Sequence, residues 1–158
     1  MKQYELIAPC HFGMEAVLKR EIQNLGYEIS QVDNGKVTFF GDAAAIARAN
    51  IFLRTTERIL LKIDSFRATS FDDLFEAVKA IPWADYIPED GNCWVTKANS
   101  VSSKLFSPSD IQKIVKKAMV EKLKQTYHAD WFEETGASYP LRISIVKDIV
   151  TIGLDTTG

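Results

Sequence analysis

The chain has 158 residues, of which 46% are hydrophobic and 25% are charged, and its formal net charge is −2 at pH 7. This composition is typical of one globular domain or two small ones, and it excludes a disordered, collagen-like or membrane-spanning chain. The opening residues alternate between apolar and polar types, so we expect no cleaved signal peptide and a cytoplasmic location.

The cysteines and histidines do not form a recognisable metal-binding pattern. Cys10 and His11 are neighbours, whereas Cys93 and His128 stand alone, and neither arrangement has the spacing of zinc ligands or of a disulfide framework. In a cytoplasmic chain both thiols stay reduced and behave as small hydrophobic side chains. We therefore predict that the chain has no metal site.

The first 63 residues alternate strand and helix patterns. Asn34-Gly35 supplies the positive backbone angles of a tight hairpin turn, Gly26 closes a helical stripe, and Asp42 is placed to cap a second helix. The resulting order, β-α-β-β-α-β, predicts a ferredoxin-like domain with an open sheet and both helices on one face. The predicted elements are strand 3–9, helix 13–25, hairpin strands 27–32 and 37–40, helix 42–50 and strand 58–63.

Residues 64–158 also mix helix and strand patterns. Ser70 with Asp73 resembles a capping box, and Ser107-Pro108 places a hydroxyl cap and a proline at the start of the longest helix. We expect an α/β (α+β) fold with two domains, 1–63 and 64–158, packed against each other, and a boundary within 63–69. The predicted elements of the second half are helix 70–82, strand 93–97, a long helix from 107, and hairpin strands 141–146 and 150–154 that turn at Lys147-Asp148.

The usual catalytic motifs are missing from the sequence. It contains no GxGxxG, GxxxxGK[ST], GxSxG or HExxH pattern. Its acidic pairs, Asp72-Asp73, Glu89-Asp90 and Glu133-Glu134, consist of sequential residues whose side chains point in divergent directions on a helix or loop. We interpret them as solvated surface and predict no catalytic centre in this chain.

A lysine-rich segment is hidden by the average charge. Between Lys97 and Lys124 there are seven lysines against two acids, Asp110 and Glu121, a local excess of five positive charges. On a helical projection the apolar residues 111, 114, 115 and 118 share one side, and four of the lysines share the other. Lys122 and Val120 break this pattern. A solubilising outer face is one explanation, and a cationic binding face is the other.

A hydroxyl-rich stretch before the long helix favours the binding face. We predict that residues 99–103 form a loop flanked by two lysines, and such groups contact the backbone of nucleic acids without reading sequence. Arg67, Arg142 and Lys147 are weaker candidates, named only for their charge at element ends. The predicted nucleic-acid contacts are Lys97, Asn99, Ser100, Ser102, Ser103, Lys104, Lys113, Lys116, Lys117 and Lys124.

Five segments together resemble one protein family. The sequences KANSVSSKLFS (97–107) and DIQKIVKKA (110–118) resemble the signature of THUMP domains, in particular those of bacterial large-subunit ribosomal RNA guanine-N2 methyltransferases. The segments APCHFGME (8–15), NIFLRTTERI (50–59) and GLDTTG (153–158) resemble the opening, an "N-x-x-L-R-x-x-x-R" stretch and the junction before the methyltransferase domain of that family. The matches are collinear and cover nearly the whole chain.

The resemblance implies a ferredoxin-like domain followed by a THUMP domain, which together capture RNA, ribosomal RNA above all. In that family a separate S-adenosylmethionine-binding domain transfers a methyl group to guanine. The family's cofactor loop and catalytic tetrapeptide do not occur here, so the resemblance assigns no catalytic or cofactor residue to this chain. It implies that the chain alone is not an enzyme and that its own methyltransferase domain, a further partner, follows residue 158.

Two other functions fit the same observations. THUMP domains also occur in tRNA-modifying proteins such as thiouridine synthases, and a ferredoxin-like fold also serves as a regulatory or protein-interaction domain whose lysines are merely solvated. Trp83 and Trp131 are expected to be buried, although an exposed tryptophan would stack on a base. The sequence assigns no role to Trp94.

Overall fold

The computed structural model describes residues 3–56, 58–87, 92–127 and 138–156, without the side chains of Asn92, Cys93 and Ser138. Several residues singled out in the sequence lie outside this part of the chain: His128, Trp131, Glu89-Asp90, Glu133-Glu134, Thr157 and Gly158. The described residues divide into two units, one within 3–62 together with 153–156 and the other within 63–152.

The first unit has the predicted β-α-β-β-α-β order, which confirms the ferredoxin-like pattern. Its strands follow the order β2-β3-β1-β4, and β1 is antiparallel to both β3 and β4. The core of this unit contains Leu6, Leu18 and Phe39, which are all fully buried. The elements are β1 (Tyr4–Pro9), α1 (Glu15–Asn24), β2 (Ile29–Asp33), β3 (Lys36–Gly41), α2 (Ala43–Phe52) and β4 (Leu60–Arg67).

The local sequence explains how these elements begin and end. Asp33 pairs with Lys36, so the hairpin turn consists of Asn34 and Gly35, as predicted. Gly35 has the expected positive φ of +83°, but Asn34 does not have a positive φ, so the prediction holds at only one of the two positions. The Asp42 carboxylate accepts a hydrogen bond from the Ala45 amide at 3.0 Å, which confirms the predicted cap of α2.

Glu15 links the loop after β1 to the β2–β3 hairpin. Its two carboxylate oxygens accept hydrogen bonds from the amides of Gly13 at 2.9 Å and Gly35 at 2.8 Å. The Gly35 amide, together with the other backbone donors, holds the pKa of this carboxyl below its usual value. The ionised form therefore stabilises the folded unit.

We expect Glu15→Gln to reduce stability at neutral pH but not in acid. A carboxyl whose pKa is lower in the folded than in the unfolded chain stabilises the fold above its unfolded pKa of about 4.3. That contribution is lost as the pH falls through the lower folded pKa. Urea unfolding followed by circular dichroism should give a lower midpoint than the parent at pH 7, with the difference closing below about pH 4. Glu28→Gln, at an exposed carboxylate, is the control, and a difference independent of pH would contradict the assignment.

The second unit contains a parallel strand pair joined by the long helix. Strand order within it is β4-β7-β6-β5, and β5 is parallel to β6. Helix α4 connects these two strands and contacts both α3 and β5. The elements are α3 (Phe71–Ala80), a 3₁₀ turn (Trp83–Asp85), β5 (Asn92–Val101), α4 (Pro108–Tyr127), β6 (Ser138–Val146) and β7 (Ile149–Asp155). This mixed architecture confirms the predicted fold class, and none of the described helices has the length and apolarity needed to span a membrane.

Several strands are longer than the sequence predicted, and β4 and β5 extend furthest beyond their predicted ends. β4 continues to Arg67, so the expected interdomain boundary at 63–69 lies largely within a strand. β5 continues to Val101, so the predicted loop at 99–103 is wrong for its first three residues. Asn99, Ser100 and Val101 pair with Ser144, Ile145 and Val146 of β6. The partner strand supplies the backbone hydrogen bonds that override the local turn preference of Asn and Ser.

Candidate nucleic-acid interface

Helix α4 has one buried side and one cationic side, as the helical projection predicted. Ile111, Val115 and Ala118 are fully buried. Lys113 and Lys117 are exposed, whereas the other lysines of the helix are half-buried. The two exceptions to the pattern, Lys122 and Val120, are half-buried as well. A long lysine stem can lie along apolar surface while its ammonium group reaches water.

Three of the predicted lysines are brought together with residues of β5. Lys113, Lys116 and Lys117 line a shallow, open groove whose surface is mainly apolar, and the other lining residues are Trp94, Val95 and Gln112. We call this the α4 groove. Lys124 is not among its lining residues, because it lies about 16 Å further along the helix axis than Lys113.

One lysine that lines the α4 groove, Lys117, contacts α3. The ammonium groups of Lys117 and Lys79 each lie 5.9 Å from the centre of the Phe75 ring. Lys79 also forms an ion pair with Glu121 at 3.8 Å. Part of the Lys117 charge is therefore engaged within the unit.

Lys97 and Asn99 point to the face of β5 opposite to that of the buried Ala98. Along β5 the buried Ala98 separates these two exposed residues, and successive side chains of a strand point to opposite faces. In register they neighbour Arg142 and Ser144 of β6. The sequence grouped Lys97 and Asn99 with the α4 lysines because they are close along the chain, but neither residue lines the α4 groove.

Two of the serines predicted to contact nucleic acid form hydrogen bonds within the chain, at the end of β5. The Ser100 hydroxyl donates to the Leu105 carbonyl, and the Ser103 hydroxyl donates to the Val101 carbonyl at 2.8 Å. Asp148, in the β6–β7 turn, links that turn to the residues after β5. Its amide donates to Ser103 Oγ at 3.0 Å, and its carboxylate accepts from the Lys104 amide at 2.8 Å.

Three residues where the end of β5 meets the β6–β7 turn have positive φ angles. Ser102, Lys147 and Asp148 have positive φ angles of 50°, 50° and 66°. The two-residue turn predicted at Lys147-Asp148 is therefore confirmed, and positive angles at both positions match the twist of a tight hairpin. The hydroxyl-rich segment holds the loop in place, while the Lys104 and Ser102 side chains are exposed.

The two described tryptophans have opposite environments. Trp83 is fully buried and its Nε1 donates to the Val78 carbonyl at 2.8 Å, which confirms the expected core position. Trp94 has 44% of its surface exposed and lines the α4 groove. Sequence reasoning missed Trp94 because only the packing of α4 beside β5 reveals this position.

Two of the family-like segments meet in the first unit. Arg58 forms an ion pair at 2.5 Å with Asp155, whose side chain is 2% exposed. The Thr156 amide and hydroxyl both donate to the Ile59 carbonyl, at 3.1 and 2.6 Å. The Asn50 side chain donates to Thr156 Oγ1 at 3.4 Å. These motif residues therefore fix the end of β7 against the start of β4.

The described residues contain no group of three or more histidine, cysteine or acidic side chains placed to hold a metal ion.

Two family models match the chain. The model described as the RlmL ferredoxin-like domain matches residues 5–60, and the model of the THUMP domain matches residues 68–155. The collinear resemblance found in the sequence is thereby confirmed.

The relatives are RNA-modifying proteins by name. YpsC of Bacillus subtilis (strain 168), described as an RNA methyltransferase, is 54% identical over the whole chain, which spans 41% of YpsC. The tRNA (guanine(6)-N2)-methyltransferase of Methanocaldococcus jannaschii is 26% identical over the whole chain, which spans 42% of that protein. The ribosomal RNA large subunit methyltransferase K/L of Marinomonas sp. is 32% identical over 53% of the chain and 12% of its own length.

Solved structures share the fold at high identity. A protein from Clostridium difficile 630 described as a "possible methylase" superposes with a TM-score of 0.97 and is 51% identical, covering 99% of this chain and 42% of its own. A second structure, described as a methyltransferase complexed with SAH, has a TM-score of 0.92 and 39% identity, covering 100% of this chain and 42% of its own. The chain thus spans less than half of these proteins.

Proposed function

The chain belongs to the THUMP domain family, and we propose that it is the RNA-capturing part of an S-adenosylmethionine-dependent RNA guanine-N2 methyltransferase that acts in the cytoplasm. The observation that carries the proposal is the α4 groove, where three lysines line one surface while the opposite side of the helix is buried.

Electrostatics explain how this surface would hold RNA. RNA carries one negative charge per nucleotide, and lysines that neutralise phosphates release condensed counterions, so affinity falls as salt rises. Lysine ammonium groups act as point charges and do not distinguish bases. We therefore expect the module to recognise the charge and shape of an RNA and to leave the choice of target nucleotide largely to the catalytic part.

The methyl donor does not fit the α4 groove. S-adenosylmethionine carries a sulfonium and an ammonium group against one carboxylate, and three lysines at the same surface disfavour a ligand of net positive charge. We assign the cofactor, the guanine and the methyl transfer to the part of the relatives that lies outside these 158 residues. Their names support ribosomal RNA as the substrate, and a tRNA guanine is the alternative that the archaeal relative represents.

RNA titrations at several salt concentrations test the proposal. The parent chain should bind labelled RNA hairpins with an affinity that falls linearly with salt on a double logarithmic scale. The double variant Lys113→Glu with Lys116→Glu should bind roughly 10-fold more weakly, and its salt slope should be smaller by about 1.5, because two phosphate contacts are lost.

Lys19→Glu with Arg20→Glu is the matched control. Both residues are exposed on α1, so the change in net charge is the same but its position lies in the other unit. This control should retain the parent's salt slope. An affinity and a slope that are unchanged in the α4 double variant would overturn the proposed function.

A further inference from the structure

Two large apolar residues at the end of α2 are exposed to solvent. Ile51 is 73% exposed and Phe52 is 58% exposed, whereas the next residue, Leu53, is buried. Isoleucine and phenylalanine are among the residues most often found in a core, because burial removes their apolar surface from water. A single exposed apolar residue is common on a protein surface, but adjacent large ones are typical of a surface that contacts another body.

The outward side of α2 continues this apolar surface. Ala43, Ala44 and Ala47 are exposed, and a step of 100° per residue places them in one stripe, about 100° wide, that also contains Ile51. Arg48 is the only charged residue among the ten of α2, whereas the exposed side of α1 carries several charges. The outer side of α2 is therefore suited to packing against a second apolar surface.

The last described residue of the chain lies against the same end of α2. The side chain of Asn50, the neighbour of Ile51, donates to Thr156 Oγ1 at 3.4 Å. The Thr156 amide and hydroxyl also donate to the Ile59 carbonyl, so this stretch is held in place within the first unit. A part of the protein that continues from Thr156 therefore starts beside Ile51 and Phe52.

The relatives contain a body that can cover this surface. YpsC and the Clostridium difficile protein are each more than twice as long as the part that they share with this chain. Segment 153–158 resembles the junction that precedes the methyltransferase domain of the family. A body that is tethered beside a surface meets it at a high effective concentration, so a small apolar contact is enough to hold it there.

We propose that the end of α2, through Ile51 and Phe52, is the docking surface for the methyltransferase domain that follows residue 158. This inference rests on the proposed function and adds to it the place where the catalytic part is held. The contact fixes the orientation of that part on the first unit. Ile51 and Phe52 are then positioning residues, which touch neither the RNA nor the methyl donor.

Thiol accessibility tests the contact directly. Ile51→Cys is prepared in the 158-residue chain and in the longer protein that includes the methyltransferase domain, and its alkylation by iodoacetamide is followed by mass spectrometry. The thiol should react about 10-fold more slowly in the longer protein, because a covered thiol reacts only when the contact opens. Phe106→Cys, at a residue 77% exposed in the second unit, is the control and should react equally fast in both proteins.

Methyl transfer gives a second readout, measured in the longer protein with labelled S-adenosylmethionine and unmodified ribosomal RNA and tRNA transcripts. Ile51→Ser with Phe52→Ser should lower kcat about 10-fold, because the reacting groups lose their fixed orientation, and should leave the affinity for RNA unchanged. Phe106→Ser with Val101→Ser is the matched control, since these residues are exposed to nearly the same extents, and it should retain the parent's kcat.

The outcomes separate the two claims. Equal alkylation rates for Ile51→Cys in the two proteins, or a parental kcat in the α2 double variant, would overturn the docking surface and leave the proposed function standing. If the longer protein transfers no methyl group to either RNA, the proposed function itself fails, and the alkylation rates still decide whether α2 is covered.

Discussion

Replacing Trp83 with alanine is expected to lower the free energy of unfolding of the second unit by about 3–5 kcal/mol. The side chain is fully buried, and its indole nitrogen donates a hydrogen bond to Val78 at 2.8 Å across the end of α3. Alanine would leave a large cavity beside the 3₁₀ turn and would remove the donor. Because whole domains are stable by only about 5–15 kcal/mol, this loss is a large share of the total.

Trp94→Ala is the matched control for this experiment. The same substitution at a position that is 44% exposed should cost about 1 kcal/mol, since far less apolar surface is lost. Urea unfolding followed by far-ultraviolet circular dichroism compares the two, and Trp83→Phe should fall between them. Equal losses at both positions would contradict the different environments of the two tryptophans.

Removing Asp155 is expected to destabilise the first unit by about 1.5–3 kcal/mol, the range for hydrogen bonds to charged groups. Its carboxylate is almost completely buried and lies 2.5 Å from Arg58, whose side chain is 37% exposed. The partial exposure of Arg58 keeps the expected loss below that of a fully buried ion pair. The effect matters for function because Asp155 and Thr156 hold the end of β7 in the first unit.

A double-mutant cycle isolates the contribution of this pair. The free energies of unfolding of Asp155→Ala, Arg58→Ala and the double variant should give a coupling of about 1 kcal/mol or more. The pair of Lys62 on β4 and Glu5 on β1, 3.2 Å apart, should give a smaller coupling, because its carboxylate is 38% exposed whereas that of Asp155 is 2% exposed. Additive losses at Arg58 and Asp155 would show that the ion pair does not hold the strand end.

Local signals predicted the first unit well. The Asn34-Gly35 turn, the Asp42 cap and the order of six elements depend on short-range backbone preferences, and each occurs as expected. The ends of β4 and β5 were missed because they depend on partner strands that are distant in sequence. Asn99 and Ser100 favour turns locally, and only pairing with β6 places them in a strand.

The candidate site was predicted only in part. The period of α4 identified its cationic side correctly, since helical periodicity relates residues within one element. Whether Lys97 lies beside the α4 lysines depends on how β5 packs against α4. The local sequence does not contain this information. Trp94 lines the same groove as Lys113 and Lys116, and this arrangement emerged only from the packing of α4 beside β5.

Lysine footprinting in the presence of RNA tests most directly the claim that RNA lies on the α4 groove. The chain is acetylated briefly with and without saturating RNA, and the modification of each lysine is measured by mass spectrometry. We predict strong protection of Lys113 and Lys116, partial protection of Lys117, and no protection of Lys19 on α1 or of Lys97, which does not line the groove. Protection of Lys97 with none on α4, or no protection at any lysine, would contradict it.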